Sequence, residues 1–534
     1  MKFKKPSQRN IQSIPSRRRF ISTCAACGAC MAMSPLSSIV MEPDVSNSSI
    51  ISTAKKKMRI RIIYSLHDLV QPVPDWPNLG FDFQPHIEDI NAALIKALPS
   101  FEFISTMATG QEDAEKILSQ DKSQGMDGYI VFQMNCWNRV VQTIAKSEKP
   151  VLYVDFKYAG SGGFLTYTSD FILTNQPNVG FVSSPRIEDL IAAVKCFEIL
   201  ANKNGSIEDF VAATVIARKK STKKSGELTF APDQLQTLST DETLRRMKES
   251  KIVALRDSTS RFDNPVMGIP VEYASFAELN YLWENADPHE ARAIAERWKA
   301  KATKVIGPRD NIIQDSAAMY LAMKAILKNH NANAITVNCL GGFYSNQIHA
   351  YPCLGFMELN NEGLIGACEC DIDSTSTMLA INSMTEGRPG FISDPVVDTS
   401  KNQVIYAHCM SPTKAFGPKG PESPFEILTH SEDRQGACNR ALLPIGYLTT
   451  TLRFGRNLNE IVMHQGVTVE NDPDDRACRT KLCVEPIGDL EKVFYTGQWG
   501  GGRFGWHRVT FYGDLKEQVY ALANAVGWKV IEEA

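Results

Sequence analysis

The stretch "GACECDID", residues 366 to 373, packs Glu369, Asp371 and Asp373 among Cys368 and Cys370. Three chemistries use such a cluster: a thiolate metal site, a disulfide corner, or a carboxylate site that holds a hard cation and moves protons. Downstream, "GFISDP" carries Asp394, "VIYAHC" carries His408, and "GGGRFGWHRVTFYGD" carries His507. Carboxylates and imidazoles together make a donor set that can hold a divalent cation. Taken singly, each has an ordinary explanation. A strand-end acid commonly caps a helix, and a histidine in an apolar strand is commonly a satisfied core residue. Asp371 and Asp373 are local competitors of Glu369, with helix capping an adequate account of both. Gln498, Trp499, Arg503 and Trp506 lie near His507 and are candidate substrate contacts.

The thiolate chemistry is the weakest of the three. Beyond residue 56, Cys136, Cys196, Cys339, Cys353, Cys368, Cys370, Cys409, Cys438, Cys478 and Cys483 form no C-x-x-C pair, so no structural zinc site is expected. Cys368 and Cys370 read as small core residues flanking the acids.

The elements that must position these groups alternate strand and helix from Met58 onward: "RIRIIYSL", "HIEDINAALIKAL", "FEFISTMA", "EDAEKILSQ", "GYIVFQM". This rhythm predicts parallel sheets with crossover helices. No G-x-G-x-x-G follows the first strand, so a dinucleotide is not indicated. The pattern divides into an α/β domain over 57–204, a second over 205–340, and a C-terminal domain over 341–534 with a large, barrel-like β component. The segment "ARKKSTKKSGE", 217–227, reads as a solvated loop. "GLIGACE" reads as a strand ending at Glu369, followed by the helix "DSTSTMLAINSM" capped at Asp373 or Ser374. "GFISDP" then delivers Asp394 to a similar strand end 25 residues on (394 minus 369), about one strand–helix–strand unit.

From about Asn338 to the C-terminus the chain resembles the L-fucose isomerase and L-arabinose isomerase superfamily. "CECD", "FISDP" and "WHRVTFYGD" fall in that superfamily's order, and "YAHCM" resembles the "G-A-H-M" strand of arabinose isomerases. The resemblance implies Mn2+ or another divalent cation held by Glu369, Asp394 and His507, with His408 added as in arabinose isomerases. It also implies that Glu369 and Asp394 carry protons in an aldose–ketose isomerisation through an enediol, on a deoxy-sugar or pentose. A homo-oligomer is the default for such proteins. Departures are visible: Ser393 stands where arabinose isomerases have a second glutamate, and Trp506 replaces the asparagine usual before the last histidine. A non-catalytic carbohydrate-binding protein of the same fold, or a lyase or epimerase using the same metal, are the alternatives.

The first 56 residues read differently from the rest. "MKFKKPSQRNIQSIPSRRRF" is basic and lacks acids, a mildly apolar small-residue run follows, and a polar spacer ends it. That order predicts an export leader, and "SRRRFI" with Arg17 and Arg18 resembles the twin-arginine signature, hence a periplasmic or exported protein that uses that machinery. Cys24, Cys27 and Cys30 lie inside the leader; they read as small leader residues, with lipid attachment at Cys27 or Cys30 as the alternative. No stretch reaches the apolar length of a stable membrane span. A net charge of -3 gives no electrostatic reason to expect nucleic acid.

Overall fold

The computed structural model describes residues 57–500 and 503–534; the expected leader, with its arginines and cysteines, lies outside them. The first sheet is parallel, with strands Phe101–Ala108, Met58–Ser65, Gly128–Gln133, Val151–Asp155 and Val179–Val182 side by side in that order. Strands Gly128–Gln133, Val151–Asp155 and Val179–Val182 are buried along their whole length, as expected where helices cover both faces of a parallel sheet, whereas the edge strand Phe101–Ala108 is partly exposed. A second sheet orders Ile365–Cys368, Ala334–Val337, Ile252–Leu255, Ile269–Ala274 and Phe262–Val266. All its pairings are parallel except the last. The strand that ends just before Glu369 is thus the edge of this second sheet.

The C-terminal β component is an antiparallel barrel of six strands. Leu448–Gly455, Arg508–Tyr512, Phe391–Asp398, Gln403–His408, Thr480–Pro486 and Glu460–Asn471 pair in turn, and the last closes on the first. Closure removes the exposed edges of a long antiparallel sheet. Lys529–Glu532 adds in parallel outside Glu460–Asn471. Asp394 therefore sits in the middle of an eight-residue barrel strand, not at the end of a strand–helix–strand unit as its spacing predicts. The mixed run "FISDPVVD" is buried on both faces, so its polarity does not mark where the strand stops.

Two buried ion pairs tie distant segments together. Arg218 lies in the helix Ile207–Ser221, contradicting the solvated loop expected from 217; it is buried, donates to Glu491, and stacks 3.7 Å from the Phe181 ring. The basic run is helical because its first turn is fixed by a capping box at Ser206 and Asp209. Arg508, beside His507, is wholly buried and donates from Nη2 to Glu533 Oε2 at 2.8 Å, while His464 Nδ1 lies 2.9 Å from Glu533 Oε1. Burial pushes the Glu533 carboxyl up, but the Arg508 charge and the hydrogen bonds from His464 and Arg508 outweigh it and hold the group at about 2. A depressed folded value stabilises above the unfolded carboxylate range, near ~4.3, and that stability drains as pH falls towards 2. Glu533→Gln should therefore cost roughly 3–5 kcal/mol at neutral pH, because it strands the Arg508 charge. Chemical denaturation at pH 7 and pH 3 should show the deficit shrinking at the lower pH.

Candidate metal centre

Three neighbouring barrel strands and one sheet edge bring the candidate ligands together. Register sets Asp394 opposite Ala407 and Ser393 opposite Arg508, so Asp394 is flanked by His408 at the end of one strand and by His507 just before the other. Glu369 arrives from the second sheet, immediately after Ile365–Cys368. It and Cys370 both adopt left-handed backbone conformations, φ 62° and 53°. Such angles cost side-chain-bearing residues on the order of 1–3 kcal/mol each and persist where surroundings over-determine them. Here the Cys370 amide donates to Val337 O at 3.0 Å, and the double turn swings Glu369 off the sheet edge towards the barrel.

The four side chains offer donor atoms that all lie within 4.8 Å of one another. His507 Nε2 is 3.3 Å from Glu369 Oε2 and 3.2 Å from Asp394 Oδ1. His408 Nε2 is 3.6 Å from Glu369 Oε1 and 3.9 Å from Asp394 Oδ2. Asp394, His408 and His507 are buried, whereas Glu369 keeps 30% of its side chain exposed. Ser393, where a second glutamate stands in arabinose isomerases, points elsewhere: it is fully buried and its hydroxyl donates to Arg508 O at 3.3 Å.

Asp371 fixes the orientation of His507. It is the N-cap of the helix Ile372–Met384, so the cap falls before Asp373 and Ser374, where the sequence predicts it. Its carboxylate accepts from the Ser374 amide at 3.0 Å, from Arg453 Nη2 at 2.8 and 2.9 Å, and from His507 Nδ1 at 2.8 Å. Burial would raise its proton affinity, but Arg453 and His507 reverse that and hold it well below the usual carboxylate range. A carboxylate accepts only, so His507 Nδ1 carries a proton and Nε2 is the ring nitrogen turned to the centre. This carboxylate–histidine arrangement is how metal-ligating imidazoles are commonly held. Capping explains one edge of Asp371 but misses its bond to His507, 136 residues away.

A cation fits this arrangement. His507 Nε2 meets two carboxylate oxygens at 3.2–3.3 Å, and Asp394 Oδ1 is buried without a hydrogen-bond partner. Three electron-pair donors converging on one point repel one another unless a positive charge sits between them. With only protons available, the site charges an imidazole: burial opposes it, but Glu369, Asp371 and Asp394 push the His507 proton affinity well above its ordinary value. The two carboxyls are driven apart. Burial raises Asp394 above its usual range, whereas for Glu369 the opposing pull of His507 and His408 outweighs burial and keeps it ionised.

The aromatic candidates separate. Trp499 is fully buried, donates Nε1–H to Val493 O at 2.8 Å and is covered by the Arg508 guanidinium at 3.7 Å, so its ring offers no face to a sugar. Trp506 is half-buried, donates to Pro395 O at 2.9 Å and meets Trp76 and Trp137 edge to face at 5.2 and 5.8 Å. Residue 162 must be glycine beneath it, since a Cβ there would lie 2.5 Å from the Trp506 ring. Gln498 has a buried Oε1 with no partner, and Arg503 is exposed. The ten cysteines are buried free thiols, and Cys368 Sγ lies 3.3 Å from His408 Nε2. No helix among the described residues is long and apolar enough to cross a membrane.

No family model matches the chain. Over 121 residues it is 27% identical to a sulfoquinovose isomerase of Alkalicoccus urumqiensis, covering 21% of this chain and 27% of that protein. Over 101 residues it is 25% identical to a sulfoquinovose isomerase of Priestia aryabhattai, covering 19% and 22% respectively. The chain thus spans about a quarter of the length of these curated relatives. The solved XylFII molecule matches 55% of this chain and 85% of its own at 11% identity, with a TM-score of 0.15, too slight a likeness to carry an argument. By its sequence the chain is similar, over about a fifth of its length, to proteins named as sugar isomerases.

Proposed function

We propose that this protein is a metal-dependent aldose–ketose isomerase acting on a deoxy-sugar or pentose. The observation that carries the reading is the convergence of His507 Nε2 on Glu369 Oε2 and Asp394 Oδ1 at 3.2–3.3 Å, with the imidazole proton held on the far side by Asp371. Glu369, Asp394 and His507 would hold Mn2+ or another divalent cation. Such a cation polarises a carbonyl and makes the neighbouring carbon-bound proton easier to remove. Asp394, whose carboxyl burial biases towards the protonated form, takes the proton from C2 and returns it at C1. Glu369, kept ionised and 30% exposed, accepts the hydroxyl proton at one sugar oxygen and delivers it to the other. The similarity to sulfoquinovose isomerases supports sugar isomerisation and places sulfoquinovose in the substrate panel.

The basic leader supports export by the twin-arginine route, with the folded protein carrying its cation across and acting in the periplasm. Manganese stands at the weak end of the divalent affinity order, so loading before export shields the site from copper and zinc. A homo-oligomer completes this reading, as does the division at residues 56, 204 and 340.

The test is incubation of the full chain with manganese in heavy water and a panel of pentoses, deoxy-sugars and sulfoquinovose. Deuterium at C1 or C2 of one sugar is expected. Binding of a sugar with no exchange in any panel member would favour a carbohydrate-binding protein instead.

A further inference from the structure

Trp506 stands where the superfamily resemblance implies an asparagine, and its indole N–H is spent on Pro395 O at 2.9 Å. Position 506 therefore offers a sugar no free polar group. Pro395 follows Asp394 and Trp506 precedes His507, so this ring is braced by two chain segments that carry candidate ligands. From there it reaches the first α/β domain, meeting Trp76 at 5.2 Å and Trp137 at 5.8 Å. We infer that this domain supplies part of the sugar site: Trp137 packs against sugar C–H groups, and Asn138 Nδ2 donates to a hydroxyl remote from C1 and C2. The identity of the ligand rests on the sugar-isomerase reading given above.

Both residues follow the strand Gly128–Gln133, at the place where open parallel sheets bind ligands. Met58–Ser65 and Gly128–Gln133 are neighbours, and the chain continues to one side from the first and to the other side from the second. A crevice opens outside the carboxyl ends of such a pair. Here Ser65 Oγ donates to Asn138 Oδ1 at 2.5 Å, and Gln133 Nε2 donates to the same oxygen at 2.9 Å. These two donors fix which limb of the carboxamide is oxygen. The other limb, Nδ2, is buried and has no acceptor among the described residues, although Asn138 is only 8% exposed. A buried donor left unmet is costly, and a ligand oxygen would relieve it. Trp137 is the opposite case, a large apolar ring left 52% exposed. Tyr167 holds it edge to face at 6.3 Å, as Trp506 does from the other domain. The loop cannot draw back, because the helix Ser161–Leu173 packs so closely that a Cβ at Gly163 would lie 1.7 Å from Cys136 O. An open aromatic ring beside a spare amide donor suits a molecule that is apolar along its C–H groups and polar at its hydroxyls. A second copy of the chain seated on Trp137 would give no account of the amide.

The probes are the pentoses, deoxy-sugars and sulfoquinovose of the panel, titrated by calorimetry into the full chain with and without manganese. Trp137→Ala should weaken binding of the best sugar about 10-fold, and Trp137→Phe should recover most of it. In protein labelled with 15N asparagine, the side-chain amide signal absent from Asn138→Ser should shift at saturating sugar. No shift, wild-type affinity in Trp137→Ala, or a wild-type chain that binds no panel sugar would overturn the inference. So would a Trp137→Ala chain that changes only its mass in light scattering, since the ring would then cover a second copy. In the isomerisation assay Trp137→Ala should raise KM and keep kcat within about 2-fold, because the contact is the same before and during the reaction. Trp137-dependent binding without deuterium exchange would remove the isomerase reading and leave this one. Exchange with an unchanged KM in Trp137→Ala would do the reverse.

Discussion

Glu369→Gln should lower deuterium exchange into the sugar by roughly 10³-fold, within the range that general acid–base groups contribute. The substitution keeps the side chain's size and one oxygen but removes the negative charge. That charge lies 3.3 Å from His507 Nε2 and 3.6 Å from His408 Nε2. A neutral amide is a poor ligand for a hard cation and a poor proton acceptor, so binding and chemistry fail together. The fold should tolerate the change, because the side chain is 30% exposed and anchors no other element. The melting temperature should therefore move by no more than about 3 °C. Exchange at the wild-type rate would mean that another acid does the work, and Asp394→Asn would then be the next variant to assay.

Asp371→Ala should damage both affinity and stability. It removes the cap of Ile372–Met384, the partner of Arg453 and the acceptor of the His507 proton in one step. Arg453 is 9% exposed and would keep a charge without its partner, a loss on the order of 3–5 kcal/mol. His507 would lose the bond that fixes its tautomer, and manganese affinity should fall about 10- to 100-fold. Asp371→Asn separates these effects. The amide oxygen can still accept from His507 Nδ1, so affinity should recover more than stability does. Calorimetry gives the stability and a manganese titration the affinity. If Asp371→Ala bound manganese as wild type, the carboxylate would be only a cap.

The four converging residues were legible as types in locally recognisable strands, because strand ends and apolar flanks are written in neighbouring residues. "GLIGACE" does end as a strand before Glu369, and "VIYAHC" does end at His408. What joins them is not local. Asp394 reads as a strand end from its spacing yet lies within a barrel strand, because residues 395 to 398 continue it against 403 to 406, while 391 to 393 pair on the other side with 508 to 510, over 100 residues away. Asp371 reads as a cap competitor, and nothing in "CECDID" announces that Arg453 and His507 will close on it. Arg453 had no sequence signal at all: an arginine in "TLRFG" is ordinary on a strand until burial forces it to find a carboxylate. The tandem left-handed turn at Glu369 and Cys370 was equally hidden, because no glycine or asparagine marks it. Trp499 shows the converse case. It reads equally as a substrate contact or a turn-packing ring, and Arg508 covering its face leaves only the packing role.

The most direct measurement is the position of manganese itself, located by anomalous scattering in crystals of the full chain. A single strong peak within ligand distance of Glu369, Asp394 and His507 Nε2 is the expected result. A peak bound elsewhere, or none at saturating manganese, would contradict it.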